Sequence, residues 1–292
     1  MSQNKIELTK MRTFYRLISL CSAILFLSFV ISFFVNAATG EWRSLAPGLE
    51  LGEFNASKPS FVGDSKITVV RIDPILWDLE LIGVSSTGES TGKTTRQWCD
   101  KYGLVAAINA GMFGADYRTH LGYFRSREHV NNSTFNAYQS VAAFSPKVGK
   151  DLPVFRILDM DEPGIIKAKI LSDYSSVVQN LRLIKRPGKN RWSQQEKIWS
   201  EAALGEDSQG RVLFIFCRSP YTMHDFNQEL LALDIGLVAA QHLEGGPEAQ
   251  LYLHIGNVEY EMFGSYETLF CENDSNNFPW SIPNVLGVRL RP

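Results

Sequence analysis

The sequence lacks the features that mark several large classes of protein. It has 29 basic against 31 acidic residues, a net charge of −2, and so lacks the basic surplus of a nucleic-acid-binding protein. Four cysteines in 292 residues are too few for a disulfide scaffold. Outside one segment near the amino terminus, no apolar run is long enough to cross a bilayer, which excludes a multi-span membrane protein.

Motifs for common cofactors and nucleophiles are missing as well. There is no P-loop, no GxGxxG after a strand, no GxSxG and no CxxC, which disfavours Walker-type phosphoryl transfer, a Rossmann cofactor and an α/β-hydrolase. The five histidines show neither the HExxH nor the HxH spacing of a zinc site. The sequence therefore predicts no metal ligands and leaves any cofactor unknown.

The one long apolar run, Leu17 to Val35, is free of charge and follows a basic stretch. Small residues at Val35 and Ala37 fit the recognition positions of a signal peptidase, so the order is that of a secretory signal. Because the run is longer than usual, an uncleaved membrane anchor remains an alternative. We expect residues 1–37 to be a signal peptide or anchor and residues 38–292 to be exported, periplasmic or extracellular. Membrane contact is then expected only through residues 17–35, if they are not cleaved.

The rest of the chain has the pattern of many short strands and few helices. Apolar and β-branched runs between turn residues predict strands at 67–72, 76–84, 104–108, 140–144, 154–158, 177–184, 211–217, 237–243, 249–255 and 258–263. Start and stop signals predict helices at Thr94 to Tyr102 and at Thr222 to Leu233. We expect a single α+β domain with a mixed sheet and a few flanking helices, in which the second helix is a crossover that indicates some parallel pairing.

Three cysteines follow the apolar segment, at positions 99, 217 and 271. An odd number allows at most one internal bridge, and Cys217 lies in an apolar run that predicts burial. The pair to consider is therefore Cys99 with Cys271.

Two predicted strands end at a polar residue followed by glycine. Asn109 precedes Gly111, and Glu244 precedes Gly245 and Gly246. A strand end can hold a side chain rigidly toward a crevice, and glycine allows backbone amides to approach a ligand. The alternative is that both are tight turns with a solvated polar residue.

Glycoside hydrolysis usually requires two carboxyl groups, one on each side of the scissile bond. The candidate partners for Glu244 are Glu248 and Glu201. Glu201 can lie in a strand of the same sheet, or it can be a surface acid. His242 alternates with Glu244 along one strand, which predicts a contact between them or a buried core histidine.

Taken together, these elements resemble a known family. They are the run Asn109 to Phe113, Gln179 within a mid-chain strand, and a strand–helix–strand unit over 212–243 that ends in Glu244-Gly245-Gly246. Their order and separation are similar to those of the phosphodiester glycosidases, typified by the lysosomal uncovering enzyme and including exported bacterial relatives. The resemblance covers roughly residues 65 to 290. Glu244 replaces the family's Asp, and Glu201 stands about where an Arg often precedes a strand.

The resemblance implies an exported hydrolase acting on a glycosidic or sugar-phosphodiester bond of an envelope glycan or glycolipid, with no nucleic-acid partner. Glu244 and Asn109 are the expected catalytic residues. Substrate binding is expected from Gly111, Phe113, Gln179, Glu201, Gly245, Gly246 and Glu248, with the glycine amides facing anionic oxygens. A non-catalytic glycan-binding or envelope-assembly protein on the same fold is the alternative, because the Asp-to-Glu change and the missing Arg both alter the pocket.

Overall fold

The computed structural model describes residues 40–291. The predicted signal or anchor segment, residues 1–37, lies outside the described residues. Within residues 40–291, none of the helices combines the length and apolar character that a membrane span requires.

Strands make up most of the described chain, and their bounds follow the chain order. They are β1 (Glu41–Ala46), β2 (Leu49–Asn55), β3 (Lys66–Ile72), β4 (Trp77–Gly83), β5 (Ala106–Asn109), β6 (Phe124–Ser126), β7 (His129–Asn132), β8 (Ser140–Pro146), β9 (Phe155–Asp159), β10 (Tyr174–Lys185), β11 (Lys189–Asn190), β12 (Trp199–Asp207), β13 (Val212–Tyr221), β14 (Leu237–Gly245), β15 (Gln250–Ile255), β16 (Val258–Phe263) and β17 (Asn284–Leu290). The helices are α1 (Val84–Thr87), α2 (Thr95–Tyr102), α3 (Lys167–Asp173) and α4 (Met223–Ala232), and a 3₁₀ turn spans Gly246–Glu248.

The strands form two sheets. The larger has twelve strands with the main order β1-β2-β3-β13-β12-β14-β10-β6-β7, while β8, β9 and β11 branch from it. The smaller has five strands in the order β16-β15-β5-β17-β4. This strand-rich architecture with few helices confirms the predicted α+β class.

The parallel pairing expected around α4 is wrong. The strand ladders of the described residues are antiparallel, including those of β13 and β14. Both of these strands pair with β12, which lies between them. The helix therefore connects two strands that run in the same direction but are separated by an antiparallel neighbour.

The two sheets pack against each other, and helices cover their outer faces. One apolar cluster joins Leu204 and Leu243 of the large sheet to Ile108 and Leu251 of the small one. A second cluster lies under α4 and contains Ala203, and a third lies under α2. Successive residues of β12 thus enter opposite cores, which explains why the central strands are continuous apolar runs rather than alternating ones.

Local sequence signals explain where several of the predicted elements begin and end. Thr94 caps α2 in a reciprocal capping box with Gln97, and Gly103 ends the helix in the left-handed conformation. Gly256 and Asn257 make the two-residue turn between β15 and β16. These positions behave as the sequence predicted.

The considered disulfide between Cys99 and Cys271 is not formed. Cys99, Cys217 and Cys271 are all free thiols in the described chain. Cys99 is buried in the cluster beneath α2, while Cys271 lies in a partly exposed turn, so the two thiols belong to different layers. Cys217 is buried, as predicted.

Candidate active site

The site is built around the pairing of β12 with β14. Ala202 lies opposite Glu244 and Ala203 lies opposite His242, with a bulge between the two pairs. Leu243, within the bulge, is fully buried in the core between the sheets. Because a bulge re-aims side chains without loosening the strand, Glu244 and His242 stand on a rigid support. Of the two alternatives for Glu201, the structure shows the first, since this residue lies buried in β12 of the same sheet and not on the surface.

Three side chains form a buried hydrogen-bonded chain across these strands. Trp199 Nε1–H donates to Glu201 Oε2 at 2.7 Å, and His242 Nδ1 lies 2.6 Å from Glu201 Oε1. Glu201 is 3% and His242 is 4% exposed. Because Glu201 is almost completely buried and each of its carboxylate oxygens already has a partner, it orients His242 rather than facing a substrate. His242 Nε2 has no hydrogen-bond partner among residues 40–291.

Burial and charge act in opposite directions on this pair. Burial raises the pKa of Glu201, against the lowering effect of His242. Burial alone would lower the pKa of His242, but the charge and hydrogen bond of Glu201 outweigh it and raise this pKa overall. The two groups therefore titrate as a coupled pair rather than independently.

Glu244 is a strongly perturbed carboxyl group of the site. It is partly buried at the end of β14, and burial raises its pKa to about 8. The charges of Glu248 and Glu267 add to this increase, whereas His242 opposes it. The backbone N–H of Gly245 donates to Glu244 Oε1 at 3.2 Å. A carboxyl group with such a pKa is protonated at neutral pH and can donate its proton.

Glu248 and Glu267 complete an acidic cluster near Glu244. Tyr117 Oη–H donates to Glu248 Oε1 at 3.4 Å. Glu267 pairs through its backbone with Trp199, and its side chain packs on Gly246. Burial raises the pKa of both Glu248 and Glu267, and the Glu267 charge raises that of Glu248 further.

Asn109 joins the two strand-end motifs. It is buried at the end of β5, and its Nδ2–H donates to the carbonyl of Glu248 at 2.9 Å. Its Oδ1 accepts from the backbone N–H of Gln250 at 2.7 Å. The structure therefore brings Asn109 to the turn that carries Glu248, and the amide holds that turn in place.

Gln179 lies on β10, next to β14, but its amide is fully used. Its Nε2 donates to the carbonyls of Asn136 and Tyr138, and its Oε1 accepts from the backbone N–H of Tyr123 and of Asn136. An amide side chain has two donors and two acceptor lone pairs, so none remains for a sugar. Gln179 fixes the segment that carries Tyr138.

The glycines of both motifs are required by their surroundings. Gly111 has φ +143°, and a Cβ there would collide with His120 and Asn180, which share a buried hydrogen bond. Gly246 has φ +61°, and a Cβ there would lie 2.5 Å from Glu267 Oε2. Gly245 has an ordinary φ, and its added Cβ would press on Trp199.

The sequence reasoning missed Tyr117 and Glu267. Tyr117 is 55% exposed, has φ +50° and packs against Phe113 with ring centroids 5.2 Å apart. The neighbouring Asp116 accepts hydrogen bonds from the N–H groups of Arg118 and Thr119, which holds the turn. A left-handed tyrosine is uncommon, but its conformation is not visible in the sequence. Glu267 was missed because the residues that precede it give no sign in the sequence that a strand ends there.

Two further features delimit the site. Among residues 40–291, no three His, Cys, Asp or Glu side chains are arranged to hold a metal ion. A cleft of about 430 Å³ lies beside Arg218, and the residues that line it do not include Glu244, Glu248 or Glu267. Arg218 is bound there by Asp274 and by backbone carbonyls, so its charge is already satisfied.

Comparison with known proteins identifies related chains. The sequence pattern of the phosphodiester glycosidase family matches residues 102–289. The fold is similar to the catalytic domain of zebrafish N-acetylglucosamine-1-phosphodiester alpha-N-acetylglucosaminidase, with TM-score 0.60 and 16% identity over 87% of this chain and 89% of that one. It is also similar to a hypothetical protein from Synechocystis, with TM-score 0.55 and 13% identity over 88% and 64% of the two chains. No curated protein is significantly similar in sequence.

Proposed function

The chain belongs to the phosphodiester glycosidase family, and on that premise we propose that it is an exported hydrolase of a glycosidic or sugar-phosphodiester bond in an envelope glycan or glycolipid. The observation that carries the proposal is Glu244, a carboxyl with a pKa of about 8 at a rigid strand end beside other carboxylates.

In the proposed reaction, Glu244 is the general acid. Its proton passes to the oxygen of the leaving group as the bond from that oxygen to the sugar C1 breaks. A water molecule adds to C1, and its proton passes to a carboxylate. Glu248 is the candidate acceptor, because Glu201 is sealed by Trp199 and His242. The products are the free sugar and the protonated leaving group.

The remaining residues have supporting roles in this proposal. His242, held by Glu201, places a polar ring nitrogen and a share of positive charge near Glu244. Asn109 holds the backbone of Glu248, and Gln179 holds the segment before β8. Both are positioning residues rather than sugar contacts, which revises the roles expected from the family resemblance.

The test is the release of reducing sugar by the full-length chain purified in mild detergent. Wild-type protein should release sugar from envelope glycans or synthetic glycosides. Glu244→Gln keeps the size of the side chain but removes the titrating proton, and it should lower kcat by about 10²-fold or more with a smaller change in KM. Full activity of Glu244→Gln would remove this residue from the mechanism.

Glu244→Asp is the sharper variant, because it restores the residue typical of the family. It draws the carboxyl group back by about 1.5 Å, one carbon–carbon bond. If the pocket has adapted to Glu, the Asp variant is impaired as well. Binding of glycan fragments without turnover, measured by isothermal titration on wild-type protein, would instead favour the glycan-binding alternative.

A further inference from the structure

The charge around Glu244 bears on which of the two bonds is cleaved. Glu244, Glu248 and Glu267 influence one another electrostatically. Between residues 40 and 291, no lysine or arginine lies within ion-pairing distance of these three carboxyl groups. Lys197 reaches Glu267 only through its longer-range charge, and the charge of His242 is matched by Glu201.

Even with Glu244 protonated, the site holds two further carboxyl groups, those of Glu248 and Glu267, without a basic ion-pair partner among residues 40–291. A sugar phosphodiester carries a full negative charge next to the bond that is cleaved. An anion placed beside carboxylate groups is repelled more strongly in a partly desolvated site than in water. A neutral glycoside meets no such repulsion.

One of the three backbone donors expected to bind anionic oxygens is also occupied. The N–H of Gly245 donates to the carboxyl of Glu244 itself. The 3₁₀ turn that follows consists of Gly246–Glu248 and carries its own acid, Glu248. At this position a phosphate would therefore meet the carboxyl group of Glu244 instead of the free amide of Gly245.

Tyr117 supplies a neutral surface at the same place. Its ring is exposed, supported by Phe113 and tethered to Glu248 through its hydroxyl group. The charge of Glu248 raises the pKa of Tyr117, so the phenol stays uncharged at neutral pH. The apolar face of a sugar ring can pack on such a surface while its hydroxyl groups reach the carboxylates.

We infer that this site selects an uncharged glycoside, packed on Tyr117, over an anionic sugar phosphodiester. The inference rests on the proposed hydrolase function and deepens it. The leaving group is then an alcohol or a sugar hydroxyl group, protonated by Glu244.

The experiment compares matched pairs of substrates with the full-length chain at pH 7.5. Each pair has the same sugar linked either directly to 4-nitrophenol or through a phosphodiester, and the released reducing sugar is measured for both. We expect kcat/KM to be at least about 10-fold higher for the neutral member. Equal or better cleavage of the phosphodiester would overturn the inference alone, whereas cleavage of neither member counts against the proposed function.

The salt dependence gives a second readout that needs no variant. If the site repels the phosphodiester, added NaCl screens the repulsion and lowers the KM of the phosphodiester. If the phosphodiester is not turned over, NaCl should instead lower its inhibition constant, measured against cleavage of the neutral substrate. The KM of the neutral member should be insensitive to salt. A KM for the anion that rises with salt would mean attraction and would refute the charge argument.

Variants separate the contribution of the acidic charge to substrate preference from the contribution of the Tyr117 ring to binding. Glu267→Gln should shift the preference toward the phosphodiester by about 10-fold, whereas Glu41→Gln, on exposed edge strand β1, changes the net charge equally and should not. Four strands separate β1 from β14, roughly 20 Å or more at the usual spacing. Tyr117→Gly, which suits the left-handed backbone, should raise the KM of the neutral substrate several-fold. An unchanged preference in Glu267→Gln or an unchanged KM in Tyr117→Gly would overturn that part.

Discussion

In the proposed reaction Glu244 has to carry a proton near neutral pH, and burial is the main cause of its raised pKa. The same burial makes ionisation costly for the folded state. Function and stability are therefore opposed at this residue, as is common where a site retains a strained or desolvated group.

We predict that Glu244→Gln is more stable than wild type at alkaline pH. The pKa of Glu244 is about 8 when folded against an ordinary 4.5, so the folded state binds the proton more tightly. Wild-type stability should fall as the pH rises from about 4.5 through 8, because the unfolded chain loses this proton first. Between pH 5 and pH 8.5, urea unfolding should show a loss of stability in wild type that exceeds the loss in Glu244→Gln by about 1 kcal/mol or more.

Glu41→Gln serves as the control for this comparison, because Glu41 is exposed on β1. It should lose the same stability as wild type between the two pH values. If Glu244→Gln also follows wild type, the carboxyl group is not held in its protonated form by the fold.

The positions of the candidate residues were more predictable than the contacts that their side chains make. The apolar run before Glu244 was enough to predict a fixed, partly desolvated acid. Asn109 and Gln179 were also found, but their roles depend on hydrogen bonds to a chain segment 139 positions away and to a loop about 41 positions away. No local pattern encodes such partners. Tyr117 was missed because its left-handed backbone follows from the turn around Asp116 rather than from its own residue type.

At the scale of elements, the site depends on the register of β12 against β14. Glu201 and His242 are neighbours only because these strands are adjacent and the bulge offsets their pairing. The sequence predicted β14 well, since it is a continuous apolar run. It indicated only the possibility of β12, because polar residues at both ends of this strand, Ser200 with Glu201 and Glu206 with Asp207, leave only a short apolar stretch.

The cross-strand pair leads to a prediction about His242. Burial lowers and Glu201 raises the pKa of this imidazole, and the carboxylate outweighs burial. Glu201→Gln removes the charge and leaves the burial, so the pKa of His242 should fall below that in wild type. The titration of the imidazole C–H resonances by NMR measures it. Trp199→Phe is the control, because it removes a donor to Glu201 but keeps the carboxylate; an unchanged pKa in Glu201→Gln would contradict the assignment.

The turn after β14 gives a prediction about its glycine. Gly246 and Gly256 both have φ +61°, but only at Gly246 would a Cβ meet a neighbour, 2.9 Å from the Cβ of Glu267. Gly256→Ala should therefore cost about 1 kcal/mol for the left-handed backbone alone. Gly246→Ala should cost more and should also lower activity, because it displaces Glu267. Equal losses of unfolding free energy in the two variants would show that the contact with Glu267 is not restrictive.

At the scale of the whole molecule, the site exists because two sheets meet. Asn109 ends a strand of the five-stranded sheet, and Glu244 ends a strand of the twelve-stranded one. The 3₁₀ turn of Gly246–Glu248 passes between them and is held by Asn109. The α+β class could be predicted from strand density, but the division into two sheets could not. Strand order depends on long-range packing, and β1, β2, β6 and β7 are too short or too polar to be detected by pattern alone.

Export of this molecule is a prediction that rests on the sequence before residue 38. The run Leu17 to Val35 has to enter the membrane whether it is a cleaved signal or an anchor. Each arginine placed at its centre costs on the order of 3 kcal/mol of insertion free energy, so the double change Leu25→Arg and Leu27→Arg should block it. The control is Leu25→Ile with Leu27→Ile, which keeps the run apolar and should be exported normally. Accessibility of the chain to protease added outside the cytoplasmic membrane measures the outcome: the arginine variant should be protected and the isoleucine variant digested.

Because the basic residues that precede the run hold its amino-terminal end in the cytoplasm, everything after residue 37 should become accessible in wild type. Normal export of the arginine variant would show that this run does not direct export. The envelope location would then no longer belong to the proposed function, whereas the proposed chemistry of Glu244 would be unaffected.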